Sequence, residues 1–163
     1  MSLTHEVTNV LRSLKLEQTK NLSIQFGGDV LKDKGTVRVN PVNCAGTMGN
    51  GLALGFKMYH PQNFRVYMEM YERGELLPGL PFMTIGKDTK IINLPVKDDW
   101  RNDSRIEWIA FGLRKMLKLV TPEDVVLIPL VGCGHGGLSI KAVLVTMHTI
   151  LKESKATFII CVR

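Results

Sequence analysis

Two kinds of segment alternate along this chain, and their alternation restricts the fold more than any other feature of the sequence. Val125–Pro129 and Thr157–Val162 are continuous apolar runs, typical of strands buried on both faces of a sheet. The segment between them has helical spacing up to Leu151, and Ser139 precedes it as a cap. This alternation predicts an α/β fold, a mixed, mostly parallel sheet with helices on both faces. We expect strands at residues 22–26, 36–40, 82–85, 90–94, 125–129 and 157–162, and helices at 52–59, 62–73, from a cap at Asp103 or Ser104 to about 119, and from the cap at Ser139 to 151.

The length of the chain and its uniform composition indicate a single main domain. Its 163 residues show no internal repeat, no low-complexity tract and no linker-like segment. Residues 1–21 precede the first strand, and their partial helical spacing predicts a surface helix or a frayed terminus. We therefore expect an N-terminal leader helix within residues 1–21 and one domain at residues 22–163.

Charge and cysteine content exclude several classes of protein. Lys and Arg number 21 against 15 Asp and Glu, and the net charge of +6 favours anionic partners such as nucleotides, nucleic acids or phosphate esters. No segment approaches the ~20 apolar residues of a membrane span, and residues 1–9 lack the features of a signal peptide. Three cysteines without a C-x-x-C pair argue against a disulfide framework and a structural zinc site, and no carboxylate cluster suits magnesium. We expect a cytoplasmic protein that needs no membrane, metal or cofactor.

Glycines concentrate in two short stretches, each placed after a predicted buried strand and before a predicted helix. The N–H groups at a helix N-terminus are unpaired and favour an anion, and glycine lets the backbone approach that anion closely. Two such loops at one edge of a sheet could hold two phosphates. Neither matches G-x-x-x-x-G-K-[ST] or G-x-G-x-x-G, which argues against a P-loop NTPase and a dinucleotide-reducing Rossmann enzyme. The glycines are Gly46, Gly49, Gly51 and Gly55 in the first stretch, and Gly132, Gly134, Gly136 and Gly137 in the second.

Several short motifs together resemble a known family. Over residues 22–162 the chain resembles the macro domain, a three-layer α/β/α sandwich that binds ADP-ribose. The motifs that carry the resemblance are Gly28-Asp29-Val30, Val39-Asn40-Pro41-Val42-Asn43, Met48-Gly49-Asn50-Gly51-Leu52-Ala53 and Gly132-Cys133-Gly134-His135-Gly136-Gly137-Leu138. The chain also resembles the DarG-type subgroup, whose members remove ADP-ribose from thymidine in DNA. The segments that carry this resemblance are Leu54-Gly55-Phe56-Lys57, Glu72-Arg73-Gly74-Glu75, Ile91-Ile92-Asn93-Leu94-Pro95-Val96-Lys97, Trp100-Arg101 and Ser104-Arg105. The terminal ADP-ribose protein glycohydrolase of animals is a more distant relative.

The resemblance implies an ADP-ribose site at the carboxyl ends of the strands. Asp29 would accept the adenine amino group, and Asn43 would hydrogen-bond the distal ribose. The first glycine loop (residues 46–51) would wrap the distal ribose and the diphosphate. The second glycine loop (residues 132–137) would hold the diphosphate through backbone N–H groups. The binding residues so implied are Asp29, Val30, Asn43, Thr47, Met48, Gly49, Asn50, Gly51, Leu52, Gly132, Cys133, Gly134, His135, Gly136 and Gly137.

Lys97 is the catalytic residue that the resemblance implies, since it is the lysine of the DarG-type N-x-P-x-K pattern. It could attack the opened ribose or stabilise charge on an intermediate, and both routes stay open. Gly136 stands where the animal glycohydrolase has a catalytic aspartate, so a Lys–Asp pair is absent, as is common in DarG-type domains. His135 stands where those domains often carry asparagine, and it could be a general acid or a hydrogen-bond donor.

Two further side chains near these motifs have alternative interpretations. Trp100 and Arg101 could clamp a nucleic-acid substrate at the mouth of the site, or Trp100 could cover the core. Cys133 lies beside a helix N-terminus, which could lower its pKa, but the resemblance implies only packing for its thiol.

The resulting prediction is an ADP-ribosyl glycohydrolase that removes ADP-ribose from nucleic acid, thymidine in DNA above all. We expect a monomer with transient DNA contact. DarG proteins usually carry a second domain, and because this sequence ends after the last predicted strand, we expect a stand-alone, antitoxin-like enzyme. Two alternatives remain: a non-catalytic ADP-ribose-binding module, and a hydrolase of ADP-ribose-1″-phosphate or acetylated ADP-ribose, for which His135 is the best argument.

Overall fold

A six-stranded sheet forms the centre of the structure, a computed structural model that describes residues 1–163. The strand order is β1-β6-β5-β2-β4-β3, and every pair is parallel except β3 with β4. This confirms the predicted mixed, mostly parallel sheet. The elements in chain order are α1 (Leu3–Ser13), β1 (Leu22–Phe26), β2 (Val37–Asn43), α2 (Gly51–Tyr59), α3 (Pro61–Glu72), β3 (Phe82–Gly86), β4 (Thr89–Lys97), α4 (Ile106–Met116), β5 (Val125–Pro129), α5 (Ile140–Leu151) and β6 (Thr157–Val162).

Helices cover both faces of the sheet. The main core of 22 buried residues joins one face to α1, α4 and α5, while smaller apolar clusters join the other face to α2 and α3. The N-terminal helix is more than a frayed terminus, because Val7 is fully buried in the main core. None of the helices has the length and apolar character that a membrane crossing requires.

Strands β2 and β5 separate towards their carboxyl ends. They pair only at Val37↔Val126 and Arg38↔Leu127, although β2 continues to Asn43 and β5 to Pro129. The helices that follow the two strands also lie on opposite faces of the sheet. A parallel sheet leaves a crevice at such a switch point, and ligands bind there.

Two predicted helix boundaries are confirmed by their hydrogen bonds. The Ser139 hydroxyl accepts from the N–H of Ala142 at 3.1 Å and caps α5. Gly74 follows α3 with φ +68, a conformation that suits glycine. The N–H groups of Gly74 and Glu75 donate to the carbonyls of Tyr71 and Met70, the paired bonds of a Schellman motif.

The predicted boundaries of α4 are wrong at both ends. Its cap is Arg105 rather than Asp103 or Ser104, and it makes no side-chain capping bond. The N–H of Ser104 donates to the carbonyl of Gly136 at 2.8 Å, which places Ser104 against the second glycine loop instead. The helix ends at Met116 and not near Leu119, since the last residues form shorter i→i+3 turns.

A buried polar cluster lies between the sheet and α3. Asn63 of α3 and Asn93 of β4 exchange amide hydrogen bonds of 3.0 and 2.6 Å, and both side chains are fully buried. Asn40 of β2 donates to Asn93 at 3.1 Å, and Thr84 of β3 donates to Asn63 at 2.6 Å. The cluster therefore joins three neighbouring strands to one helix.

Candidate active site

The carboxyl edge of the sheet brings the predicted site residues together. Asn43 ends β2 and Lys97 ends β4, and the two are register partners at a bulge between these strands. The N–H of Cys44, just before the first glycine loop, donates to the carbonyl of Lys97 at 3.0 Å. The second glycine loop follows β5, the neighbour of β2, and Asp29 follows β1 further along the same edge.

Tyr67 of α3 holds the first glycine loop in shape. Its hydroxyl donates to the Asn43 carbonyl at 2.8 Å and accepts from the N–H of Thr47 at 3.1 Å. The Asn43 side chain completes the arrangement, because its Nδ2 donates to both oxygens of Thr47 at 3.1 Å. Tyr67 is fully buried, and burial raises the pKa of its phenol above the ordinary value. It therefore stays protonated and serves as a fixed hydrogen-bonding group.

The end of the first glycine loop presents backbone donors. The first backbone bond of α2 runs from the N–H of Leu54 to the carbonyl of Asn50. The N–H groups of Gly51, Leu52 and Ala53 therefore open the helix without a partner inside it. Gly49 has open space where a Cβ would stand, while Met48 is buried beneath the loop with 1% of its surface exposed. This end of the loop suits an anion.

The second glycine loop is organised by its own backbone. Residues 134–136 form one turn of 3-10 helix, in which Gly136 donates to Cys133 at 3.0 Å and Gly137 to Gly134 at 3.2 Å. The N–H groups of Gly134 and His135 open this turn and have no partner inside it. The His135 side chain is exposed and makes no hydrogen bond with the protein. The loop thus offers a second set of N–H groups for an anion.

Close packing leaves no room for side chains at three glycines of the second loop. A Cβ on Gly132 would lie 2.8 Å from Leu138 Cδ1, and one on Gly136 would lie 2.7 Å from Ser104 Oγ. A Cβ on Gly137 would lie 2.8 Å from an oxygen of Asp103. An aspartate at Gly136 would therefore displace the Ser104 side chain.

Lys97 is a buried cation at the end of β4, beside Asn43 of β2. Its side chain is 8% exposed, and its Nζ donates to the Trp100 carbonyl at 3.3 Å. It takes part in none of the four ion pairs of the molecule. Buried lysines are uncommon and are usually paired. A buried lysine without a carboxylate partner, next to the first glycine loop, is a candidate for contact with an anionic ligand.

The segment after Lys97 forms an exposed loop with a fixed arginine. Arg101 makes two 2.9 Å bonds to the Asp99 carboxylate and lies 5.6 Å from the ring centre of Trp100. The hydrogen bonds from Arg101 lower the pKa of Asp99 to about 2. Trp100 is 56% exposed, so it does not serve mainly as a cover for the core.

Asp29 lies beside an arginine at the far end of the site. Its carboxylate accepts from the N–H of Leu31 at 2.9 Å and from Arg163 at 2.6 Å. Burial raises the pKa of Asp29, but these hydrogen bonds outweigh it and hold that pKa below the ordinary value. Val30, the next residue, is buried against Phe56 of α2, so its side chain belongs to the core.

The cysteines near the site are not activated thiols. Burial raises the pKa of both Cys44 and Cys133 to about 11. The sequence-based idea that the helix N-terminus lowers the pKa of Cys133 is therefore wrong, because the cost of burying a thiolate is larger. No group of three or more His, Cys, Asp and Glu side chains is close enough to hold a metal ion.

Sequence reasoning missed two residues that support the site. Tyr67 was predicted only as part of the apolar face of α3, and Ser104 only as a cap and as part of a DarG-like motif without a role of its own. The Ser104 hydroxyl is buried without a hydrogen-bond partner, directly beneath Gly136. No local signal marks either role, because their partners lie 20 or more residues away in the chain.

The fold and the position of this site define a class of protein, α/β/α domains whose ligand sites lie at the switch point of the sheet, here beside two loops that suit phosphate groups. Within that class, the family model of the macro domain matches residues 39–147, and the chain belongs to the macro-domain family.

Relatives in sequence and structure point to one group of macro domains. The DNA ADP-ribosyl glycohydrolase of Mycobacterium tuberculosis is 36% identical over 122 residues, which are 71% of this chain and 35% of that protein. This chain thus spans about a third of the curated relatives it matches. The macrodomain of Thermus aquaticus DarG has a TM-score of 0.77 at 29% identity and covers 87% of this chain and 97% of its own. Thermosipho africanus DarTG in complex with ADP-ribose has a TM-score of 0.81 at 27% identity, over 91% of this chain and 43% of its own.

Proposed function

We propose that this protein is an ADP-ribosyl glycohydrolase that removes ADP-ribose from thymidine in DNA. The observation that carries the proposal is Lys97, a buried cation without an ion-pair partner, placed beside Asn43 at the carboxyl edge of the sheet. The names of its relatives support the substrate, since the similar proteins are DNA ADP-ribosyl glycohydrolases.

ADP-ribose is proposed to lie along the carboxyl edge of the sheet. Asp29 takes the adenine end, and its free lone pairs accept the amino group beside Arg163. The open N–H groups of the two glycine loops take the diphosphate. The distal ribose lies next to Asn43, where one ribose hydroxyl replaces the Thr47 hydroxyl as partner of Asn43 Nδ2. This orientation brings the anomeric carbon towards Lys97.

Lys97 is proposed to act on the bond between C1″ of the ribose and the base. In a covalent route, the amine nitrogen bonds to C1″ as the bond to the base breaks, and the base takes up the proton that the nitrogen loses. The ribose ring then opens as O4″ takes the second proton of the nitrogen, which leaves an imine between Lys97 and C1″. Water then releases ADP-ribose and restores the amine. In an electrostatic route, Lys97 stays an ammonium ion and stabilises the transition state while water adds to C1″.

A glycohydrolase assay tests the proposal. The substrate is a single-stranded oligonucleotide that carries ADP-ribose on thymidine, and the proteins are the wild type, Lys97→Ala and Lys152→Ala. We expect Lys97→Ala to lose at least about 100-fold in rate, because a catalytic group commonly contributes that much. Lys152 is an exposed lysine at the far end of α5, and Lys152→Ala should match the wild type.

Binding of free ADP-ribose, measured by calorimetry, separates the alternatives. Binding without turnover by the wild type would indicate a non-catalytic module. Turnover of ADP-ribose-1″-phosphate or acetylated ADP-ribose, but not of modified DNA, would indicate the small-molecule hydrolase, and His135→Ala would then be the next variant. Borohydride reduction during turnover discriminates the two routes, because only the covalent route leaves ADP-ribose attached to Lys97.

The proposed setting is antitoxin-like, in the cytoplasm, with the monomer as the active unit. Both glycine loops and Lys97 come from one chain, which supports a monomeric site. Co-expression with a thymidine-modifying toxin should restore growth with the wild type and fail with Lys97→Ala. Toxicity that persists with soluble wild-type protein would contradict this role.

A further inference from the structure

Three aromatic rings in the segment that follows Lys97 each have a cation near one face, and of these rings Trp100 and Phe111 are exposed while Trp108 is half-buried. The Arg101 guanidinium lies 5.6 Å from the ring centre of Trp100, and that of Arg105 lies 5.2 Å from Trp108. Lys115 Nζ lies 5.3 Å from the ring centre of Phe111. We call these six residues the aromatic–cation row.

The row begins at the proposed active site and runs away from it. The Trp100 carbonyl accepts the bond from Lys97, and α4 starts where Ser104 contacts the second glycine loop. Along α4, Arg105, Trp108, Phe111 and Lys115 recur every three or four residues, which places them on one side of the helix. The helical part of the row is roughly 15 Å long.

The fold does not require this row. The face of α4 that packs on the sheet consists of Ile109, Leu113 and Met116, which are fully buried. By contrast, Trp100 is 56% exposed and Phe111 is 48% exposed. Arg105 and Lys115 make no ion pair, so their charges are free to meet an anion. Exposed rings grouped with cations along one stretch of surface favour a binding surface.

The pattern of ring and cation matches one polymer. Aromatic rings stack on unpaired bases, and adjacent cations contact the phosphates between them, which is the chemistry of single-stranded nucleic-acid grooves. Duplex DNA would offer its phosphates but not its base faces. We propose that the aromatic–cation row binds the unpaired nucleotides that flank the modified base. This inference rests on the proposed function and extends it from the ADP-ribose to the strand.

Fluorescence anisotropy with labelled, unmodified oligo(dT) tests the row directly. The variants are Phe111→Ala and Arg105→Ala, and the matched controls are Tyr59→Ala and Arg65→Ala, an exposed aromatic and an exposed cation on α2 and α3. We expect Phe111→Ala to weaken binding roughly five- to 100-fold, as for loss of a base–aromatic stack. Arg105→Ala should lower the slope of log K against log salt by about 0.7, as for loss of one phosphate contact. The controls should bind like the wild type.

Kinetics with a long and a short substrate separate this proposal from the proposed function. Phe111→Ala should lower kcat/KM on an ADP-ribosylated oligonucleotide by the factor seen in anisotropy. Its rate on an ADP-ribosylated thymidine mononucleotide, which does not reach the row, should change less than twofold. A wild type without activity on either substrate would overturn the proposed function, while anisotropy would still test the row. Three results would overturn the proposal for the row: no binding of oligo(dT), binding that neither variant changes, or binding no stronger than that of duplex DNA.

Discussion

The two glycine loops follow neighbouring strands and present similar N–H groups, but they are held in shape by different means. Side-chain hydrogen bonds from Tyr67 and Asn43 support the first loop. The second loop relies on backbone turns and on glycines packed too closely for a Cβ. Similar ligand-facing surfaces can therefore rest on different supports, one polar and one steric.

The largest expected difference between the loops comes from adding a methyl group to each. Gly132 has φ +78 and little space, so Gly132→Ala should reduce the free energy of unfolding by about 3 kcal/mol, from left-handed strain and overpacking together. Gly49 has open space and no positive φ, so Gly49→Ala should cost less than about 0.5 kcal/mol. Urea unfolding of both variants measures this difference.

Affinity for ADP-ribose should fall in Gly49→Ala, the variant whose stability is expected to change little. Gly49→Ala keeps the fold but places a methyl group where the proposed ligand approaches the backbone, so its affinity should fall while its stability does not. Equal stability losses in the two variants would mean that the steric difference between the loops is wrong.

The thiols beside the loops test whether both regions exclude water to the same degree. Cys44 and Cys133 each have a pKa of about 11, so few of their thiols are ionised at pH 7.5. Alkylation by iodoacetamide should be roughly two orders of magnitude slower than for free cysteine, whose pKa is near 8.5. The rate should rise with pH towards 11, because the raised pKa delays formation of the thiolate. Peptide mapping of the modified protein gives each rate, and fast labelling of one cysteine alone would show that its loop opens.

The smallest expected effect is the removal of one hydroxyl beneath the first loop. Tyr67→Phe leaves the Thr47 N–H without its partner and should reduce the free energy of unfolding by about 1–2 kcal/mol. Affinity for ADP-ribose should fall several-fold because the loop loses its support. Tyr59→Phe, at an exposed tyrosine of α2, is the matched control for urea unfolding and calorimetry. An unchanged Tyr67→Phe protein would show that the backbone alone maintains the first loop.

The strands were the most predictable part of the molecule. Strands β5 and β6 agree with their predicted bounds to the residue, because continuous apolar runs ended by polar or turn residues leave little choice. The bounds of β1, where apolar and polar residues alternate, agree as well. Strand β2 runs three residues beyond its predicted end and includes Pro41. A proline is tolerated there because pairing with β5 has already ended at Arg38, a fact of the sheet that the local sequence does not contain.

The location of the site was predictable, but the residues that hold its loops in place were not. Glycine placement and the resemblance located both loops and Lys97 at one edge. The burial of Lys97 was not predictable, because an isolated lysine is ordinarily solvated. The role of Tyr67 depends on Asn43, 24 residues away, and helical spacing reports only that Tyr67 faces the interior.

The asparagine cluster between the sheet and α3 has a consequence for how the chain avoids misassembly. Side chains alternate between the faces of a strand, so sliding β4 by one position would turn Asn93 into the apolar layer on the other face. Asn63 would then lose its reciprocal partner inside the protein, and each unpaired amide would cost roughly 1–3 kcal/mol. An apolar residue in place of Asn93 would remove the cost of burying its amide in the shifted position, but it would leave Asn63 and Asn40 without their partner in the correct one. The cluster therefore favours the correct alignment of the strands, because a shifted sheet is destabilised whether or not a ligand is bound.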